Sequence, residues 1–292
     1  MTTRRLRSFR WNPTRNDAVE TDWPRALPYL RCVGCGAGPV EVGPGDTIIC
    51  THCQRNYVIQ DQIWKVTDEP DGNNKIAATF YDGPQWKKYR FWKQFTPFNE
   101  RAVTLWRSEV LRHLPDLAGT ALLDIAIGDG HNLPLMSEEC DVFGVDISIA
   151  QLHVCRDSNS THRLWLCHGI AEQLPFLDHV FDNVLSFGAF NYFNDPLASL
   201  REMSRVVKPG GLVVITDEYP DLPKNMIGHR LGWPALDRWI LSKFLHLGND
   251  FADMIERHRN MKIEPIIGQV FQSWEMSDVC NQAAYCVVAR AN

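Results

Sequence analysis

Four cysteines near the start of the chain have the spacing of a metal site. Cys32 and Cys35 form one C-x2-C pair, and Cys50 and Cys53 form a second pair after fourteen intervening residues. Each pair places two thiolates on one tight turn, and two such turns complete the tetrahedron that Zn²⁺ accepts. Four protein ligands leave no position open for water or substrate. The pattern therefore predicts a structural zinc ribbon, stabilised by its metal, over residues 29–68.

Two aspartates follow successive apolar runs and are the second candidate site. Asp124 lies in ALLDIAI, ahead of Gly128 and Gly130, and Asp146 stands near the end of VFGVDI. Glycines at such a turn let the backbone approach a ligand, whereas an acid at the strand tip disfavours a pyrophosphate. Neither the G-x-G-x-x-G motif nor a P-loop is present. A carboxylate after the second strand can accept both ribose hydroxyls. The pair favours a nucleoside with an ammonium group and no phosphate, such as S-adenosylmethionine (SAM).

The positions of these residues depend on the elements around them, and the pattern predicts an α/β fold. Short apolar runs rich in β-formers alternate with helical candidates from residue 120 onward. Runs this apolar indicate strands buried on both faces, as in a parallel sheet covered by helices. Strands are predicted at 121–127, 142–147, 163–168, 183–187 and 212–216, and in QVFQSWEM and AAYCVVARA near the end. Helices are predicted at 100–114, 131–139, 148–157 and 195–207.

Length, composition and charge limit the classes of function. The chain has 292 residues, 45% hydrophobic and 22% charged, which suffices for one large core and a small module. A net charge of −5 predicts no general affinity for nucleic acid. No apolar run is long enough for a membrane span, and no export signal is recognised at the start. Nine cysteines in such a chain predict a cytoplasmic protein with metal-bound or free thiols.

Several motifs together resemble the class I SAM-dependent methyltransferases, and more narrowly the group related to ubiquinone and menaquinone biosynthesis. LLDIAIGDG stands where the family has its D-x-G-x-G-x-G turn, and FGVDIS matches the acidic end of strand two. GIAEQLPFLDHVFDNVLSF and DPLASLREMSRVVKPGGLVVITDE match the stretches around strands three to five. The resemblance covers roughly residues 100–219 strongly. It implies a Rossmann-like sheet of seven, mostly parallel, strands preceded by the small zinc ribbon.

The resemblance also implies which residues hold SAM. The candidates are Tyr81, Asp124, Ala126, Gly128, Gly130, Asp146, Ile147, Ile170, Ala171, Glu172, Ser186 and Phe187. Two positions depart from the family pattern. Ala126 replaces the first glycine of the turn, and Ile170 stands where the family usually has an aspartate that accepts from the adenine amino group. The adenine is therefore expected to be held by main-chain groups near Ile170 and Ala171 and by apolar packing.

The methyl acceptor is expected beyond strand four, where Asn191 and Tyr192 are candidate contacts together with Trp233 of a helical insertion. Methyl transfer from a sulfonium releases a neutral thioether and needs no acid. For this reason no catalytic residue is assigned. Four zones result: a flexible N-terminal arm (1–28), the zinc ribbon (29–68), a helical and aromatic linker and lid (69–118), and the SAM-binding domain (119–292) with its insertion at about 222–262.

Three functions remain open on the sequence. The acidic pI and the aromatic insertion favour methyl transfer to a small molecule of quinone-like, phenolic or natural-product type. The second function is methylation of an rRNA or tRNA base, with the ribbon binding RNA. The basic residues among the aromatics of 80–98 favour it, as do five arginines near the start: Arg4, Arg5, Arg7, Arg10 and Arg15. These arginines are equally compatible with a solvated terminus. A non-catalytic SAM-binding scaffold has only Ala126 and Ile170 in its support.

Overall fold

One sheet of eleven strands organises the part of the chain that the computed structural model describes, which is residues 21–292 except 68, 97, 160 and 222–225. The strands in chain order are β1 (Val40–Gly43), β2 (Thr47–Cys50), β3 (Asn56–Gln60), β4 (Ile63–Lys65), β5 (Ala121–Ile125), β6 (Asp141–Asp146), β7 (Arg163–His168), β8 (Phe181–Phe187), β9 (Val207–Glu218), β10 (Ser273–Val279) and β11 (Ala284–Arg290). Across the sheet their order is β1-β2-β3-β4-β7-β6-β5-β8-β9-β11-β10.

The seven strands from β5 to β11 confirm the predicted Rossmann-like sheet. The neighbours β7, β6, β5, β8 and β9 are parallel, and β11 runs antiparallel between β9 and β10. All five residues of β5 are buried, as expected for a strand covered on both faces. The carboxyl ends of the five parallel strands therefore meet at one edge, where open α/β sheets bind their ligands.

The helices are α1 (Trp23–Ala26), α2 (Gly72–Asp82), α3 (Pro84–Lys93), α4 (Glu100–Leu111), α5 (Ile149–Ser158), α6 (Pro196–Val206), α7 (Ile227–Arg230), α8 (Pro234–Trp239), α9 (Asn249–His258) and α10 (Ile263–Ile267). A π-helical turn, Ile240–Phe244, follows α8. Within the described ranges, no helix combines the length and the hydropathy that crossing a membrane requires.

The helix predicted at 131–139 is wrong. Only a single 3-10 turn, Leu133–Leu135, forms there. Gly130 enters it with φ of 77°, and Pro134 lacks a backbone N–H and so disfavours extension into an α-helix. The side chain of Asn132 is also bound to Asp124, which holds the turn against the end of β5.

The flexible arm predicted at 1–28 is wrong for its last residues. Trp23 and Ala26 of α1 are buried, and Trp23 packs edge-on against Trp64 with ring centroids 6.3 Å apart. The Trp165 indole N–H donates to the Asp22 carbonyl at 2.9 Å. The segment thus covers the outer part of the sheet. The arginines at positions 4 to 15 lie outside the described residues.

The ribbon is continuous with the large sheet. Strands β1 to β4 pair antiparallel, and β4 then pairs parallel with β7, with Ile63 opposite Leu166 and Trp64 opposite Cys167. Trp64 is fully buried and belongs to the same core cluster as Phe143 and Trp165 of the large domain. Ribbon and domain therefore share one hydrophobic core.

A lid, defined here as α2, α3 and residues 226–258, packs around its own small core. Phe80, Leu247, Phe251 and Met254 are buried there, and Phe80 and Phe251 lie 4.6 Å apart between ring centroids. The predicted linker and the predicted insertion, which are far apart in sequence, thus form one substructure.

Candidate functional site

A cavity of about 640 Å³ lies between the carboxyl ends of the parallel strands and the lid. Ile125, Val145 and Phe187 from the strand ends line one side, and Trp86 and Phe251 from the lid line another. The volume falls within the range of about 300–1,000 Å³ that small-molecule sites occupy. The cavity is therefore the candidate site, and the predicted residues can be placed relative to it.

The turn after β5 has the backbone that the glycine pattern predicts. Ala126, Gly128 and Gly130 all have positive φ, at 60°, 58° and 77°. A Cβ at Gly128 would meet nothing closer than the Ala126 carbonyl at 4.0 Å, whereas at Gly130 it would lie 2.7 Å from the Cys155 sulfur. Gly128 leaves room beside the cavity, while Gly130 allows helix packing and does not line it. Ala126 adopts the left-handed conformation at a cost of about 1–2 kcal/mol.

Asp146 fixes this turn and lines the cavity. One carboxylate oxygen accepts from the Gly128 N–H at 2.8 Å, and the other accepts from the Ser148 N–H at 2.8 Å. Burial raises the pKa of Asp146 to about 6, against the opposing effect of these two N–H donors. Each oxygen keeps a lone pair for a further donor. The side chain can therefore hold the turn and accept ligand hydroxyls at once.

Asp124 does not line the cavity, contrary to the expected direct contact with a ligand. It is fully buried behind Asn132, whose side-chain N–H donates to one Asp124 oxygen at 3.0 Å. The other oxygen has no partner within the described residues. Burial raises the pKa of Asp124 to about 7, although Asn132 and Arg107 act in the opposite direction. Asp124 therefore orients Asn132, and Asn132 together with Arg107 presents polar groups to the cavity.

The remaining predicted SAM contacts divide into two groups. Tyr81, Ile147, Ile170, Ala171 and Phe187 line the cavity. Glu172 and Ser186 do not.

Glu172 instead accepts from the Asn194 N–H at 2.7 Å and from the Asn74 side chain at 3.2 Å, which ties α2 to the loop before α6. Ser186 is buried in β8, and its hydroxyl has no partner among the described residues.

Only Tyr192 of the three predicted acceptor contacts lines the cavity. Its hydroxyl donates to a carboxylate oxygen of Glu218, which also lines the cavity. Asn191 is buried elsewhere, where its side-chain oxygen accepts from Tyr285 at 2.9 Å and its backbone N–H donates to Asp217 at 2.8 Å. Trp233 is 59% exposed and lies outside the cavity.

Two acids end β9 under the lid: Asp217 is fully buried, and Glu218 is half-buried. Burial raises the pKa of Tyr192 well above its ordinary value, and nearby Glu218 acts in the same direction. Burial and then Glu218 likewise raise the pKa of Asp217. Tyr192 and Asp217 therefore favour their protonated forms, which keeps the repulsion around the Glu218 carboxylate low.

The cavity is also lined by aromatic and basic residues of α3 and α4 that the sequence pattern does not mark as site residues. Trp86, Tyr89 and Lys93 of α3 line it at helical spacing, and Arg107 of α4 lies over the Phe187 ring at 4.9 Å. Burial lowers the pKa of Lys93, and Arg107 acts in the same direction. The i, i+3, i+7 spacing on α3 indicates one common face, but the sequence does not show which face meets the cavity.

The four cysteines converge as their spacing predicts. Their sulfur atoms all lie within 4.8 Å of one another. Cys32 and Cys53 are 3.6 Å apart between sulfurs, as are Cys35 and Cys50. The Tyr57 hydroxyl lies 3.0 Å from the Cys32 sulfur and also accepts from the Gly34 N–H at 3.0 Å. Four converging thiols, which no histidine or carboxylate of the described residues joins, suit Zn²⁺.

Residues 123–215 match the family model described as a methyltransferase domain. Demethylmenaquinone methyltransferases of Staphylococcus aureus strains JH9 and Newman are 36% identical over 144 residues, which is 47% of this chain and 58% of theirs. The chain therefore spans less than two thirds of the length of the curated relatives it matches. The segment 123–215 that matches the family model contains the turn after β5, Asp146 and the strands β6 to β8.

Solved structures similar to this chain include a SAM-dependent methyltransferase of Aquifex aeolicus, with 16% identity and a TM-score of 0.45 over 76% of this chain and all of that one. A phosphoethanolamine N-methyltransferase of Haemonchus contortus has 18% identity and a TM-score of 0.45 over 71% of this chain and 43% of that one. Both scores are below 0.5, so the fold assignment rests on the strand order of this chain itself.

Replacement of Asp124 by Asn should change how stability depends on pH. Because the folded pKa of Asp124 lies near 7 and that of an unfolded aspartate near 4, its stabilising contribution is complete below about pH 4 and is lost as the pH rises to about 7. Asn keeps the oxygen that accepts from Asn132. The free energy of unfolding of Asp124→Asn minus that of the wild type should therefore rise by about 2–3 kcal/mol between pH 5 and pH 8, measured by urea denaturation.

The exposed Asp116→Asn serves as the matched control and should show a difference that is constant with pH. A constant difference for Asp124→Asn as well would mean that Asp124 is ionised throughout this range.

Proposed function

We propose that this chain, whose residues 123–215 match the methyltransferase-domain model, transfers a methyl group from SAM to a small ring compound that bears an ionisable hydroxyl group. The observation that carries the proposal is the Tyr192–Glu218 pair, which faces the same aromatic cavity as Asp146 and the β5 turn. One cavity thus offers a nucleoside subsite and, beside it, a proton acceptor.

The polar wall fits SAM. Asp146 would accept from the ribose hydroxyls, since it lines the cavity and keeps free lone pairs. Ile147, Ile170 and Ala171 would pack on the adenine. Arg107 carries a guanidinium at the wall beside Asn132, which suits the carboxylate of the methionine part. The open space beside Gly128 admits the ligand close to the backbone.

SAM, when bound, supplies a methyl group on a sulfonium whose departure as a neutral thioether needs no proton. The chain itself must hold the acceptor close to that methyl group and exclude water. Trp86, Leu241, Leu245 and Phe251 of the lid provide the apolar cover. Glu218 accepts the hydroxyl proton of the acceptor, and Tyr192 remains protonated and orients the Glu218 carboxylate.

The acceptor class rests on two observations. The lid side of the cavity is lined mainly by aromatic and aliphatic side chains, which pack well on a planar ring. The curated relatives are named demethylmenaquinone methyltransferases, which supports a quinone-like ring in its hydroxyl-bearing form. The base of an rRNA or tRNA is the second candidate, and the non-catalytic scaffold is the third.

Substitution of Glu218 by Gln tests the proposal. With labelled SAM and a dihydroxynaphthalene as acceptor, the wild type should form methylated product, and Glu218→Gln should lower the turnover number by about 10²–10⁴-fold because the proton acceptor is lost. Calorimetry should show an unchanged dissociation constant for SAM. The exposed Glu138→Gln should behave as the wild type.

Ribosomal RNA and tRNA are assayed in parallel with the ring compound. Transfer to RNA but to none of a panel of hydroxylated rings would favour base methylation instead. Binding of SAM without methyl transfer to any ring compound or RNA would favour the non-catalytic scaffold.

We also propose that the four cysteines hold one structural Zn²⁺. The four cysteine sulfurs converge, and β4, which ends the ribbon, pairs with β7 in the large sheet. Loss of the metal should therefore weaken more than the ribbon. Trp64, on β4, is part of the common core.

Elemental analysis should find one zinc per chain. Removal of the zinc by a strong chelator should lower the Tm of the whole chain by about 5 °C or more. In large domains, each kcal/mol lost from the free energy of unfolding lowers the Tm by about 2–4 °C. Cys35→Ser should lose zinc with a similar shift, whereas Cys280→Ser should keep both zinc and Tm. The assignment would be contradicted if the purified protein contained no zinc and its Tm were the same before and after treatment with the chelator.

A further inference from the structure

Helix α3 separates the cavity from the outside of the molecule. Trp86, Tyr89 and Lys93 line the cavity on its inner face. Phe91 on the outer face is 56% exposed, and Phe95 just beyond the helix is 72% exposed. The lid is therefore one helix thick here, which is about 10 Å.

The π-helical turn Ile240–Phe244 likewise has one face toward the cavity and one face toward solvent. Leu241 and the following Leu245 line the cavity, whereas Lys243 and Phe244 are exposed. Seven of the ten large apolar side chains that are exposed in the described residues belong to α3, its end or residues 227–244. The concentration of exposed apolar surface is thus a property of the lid.

These two segments form one continuous aromatic surface. Trp92 lies 5.0 Å from Phe244 and 6.0 Å from Phe95, and Phe91 lies 5.9 Å from Phe95, all between ring centroids. We call Phe91, Trp92, Phe95 and Phe244, with their neighbouring lysines, the outer lid patch. Contiguous exposed apolar patches mark interaction sites.

Three lysines border the aromatic rings. Lys87 and Lys88 lie four and three residues before Phe91, on the same side of α3, and Lys243 precedes Phe244. All three are exposed, and none forms an ion pair within the described part of the chain. The chain as a whole has a net charge of −5, so this positive charge is a local feature.

We propose that the outer lid patch docks on the surface of an anionic lipid bilayer. Aromatic side chains flanked by lysines are the composition of helices that lie in the membrane interface, where rings enter the acyl boundary and ammonium groups meet lipid phosphates. Lysine is depleted in interfaces between proteins, which favours lipid over a protein partner.

Docking of the lid on a bilayer goes beyond the proposed function. Only its benefit, which is access of the cavity to an acceptor dissolved in the bilayer, rests on the proposed function. A docked lid would place the cavity about one helix diameter from the bilayer, within reach of an apolar ring compound dissolved there. Binding to vesicles requires neither SAM nor an acceptor. Its outcome is therefore independent of the assay of methyl transfer.

Co-sedimentation with vesicles of phosphatidylcholine, with and without phosphatidylglycerol, tests the proposal. The full chain should bind the vesicles with phosphatidylglycerol, and binding should weaken with salt. The double variant Phe91→Ser/Phe95→Ser should lower the partition coefficient about tenfold or more. Lys87→Ala/Lys88→Ala should lower the partition coefficient by about fivefold per lysine, and only on the vesicles that contain phosphatidylglycerol.

Val58→Ser, on the exposed face of the ribbon, and Lys262→Ala serve as matched controls and should bind as the wild type. Circular dichroism and an unchanged Tm verify that each variant is folded. Failure of the wild type to sediment with either vesicle, or equal sedimentation of wild type and patch variants, would overturn the proposal. It would equally be overturned if size-exclusion chromatography showed a dimer that Phe91→Ser/Phe95→Ser dissociates, because the patch would then join two copies.

Discussion

The hydrogen bonds of the Asp146 carboxylate hold together the part of the molecule on which the site depends. One side chain at the end of β6 binds the N–H of Gly128 in the turn after β5 and the N–H of Ser148 at the start of α5. Two neighbouring strand ends and a helix start are thereby fixed relative to one another. Since the carboxylate also lines the cavity, a ligand that donates to it meets groups that are already in position.

The sheet extends this order in two directions. On one side, β4 of the ribbon pairs with β7, so the residues after β7, including Ile170 and Ala171, follow a strand that is joined to the four-cysteine ribbon. On the other side, β9 ends in Asp217 and Glu218, which meet the loop of Asn191 and Tyr192. The residues that we propose for the nucleoside and for the acceptor are thus positioned by opposite halves of one sheet.

Much of the fold could be predicted from local pattern. The buried strands are rich in apolar β-forming residues, and the spacing of the two C-x2-C pairs is typical of a metal site, so both features could be predicted from the sequence. Other features depend on contacts between distant residues. Local spacing in the sequence does not reveal such packing. Three examples are the parallel pairing of β4 with β7, the burial of Asp124 behind Asn132 and the exposure of Trp233. Residues 131–139 illustrate the opposite case, since Pro134 stood in the sequence as a signal against a long helix.

Calorimetry with SAM measures whether Asp146 receives the nucleoside. The account predicts that the wild type binds one SAM per chain and that Asp146→Ala raises the dissociation constant by the equivalent of about 1–3 kcal/mol, the scale of hydrogen bonds to a charged group. The exposed Asp157→Ala should bind as the wild type. An unchanged dissociation constant for Asp146→Ala would contradict the account.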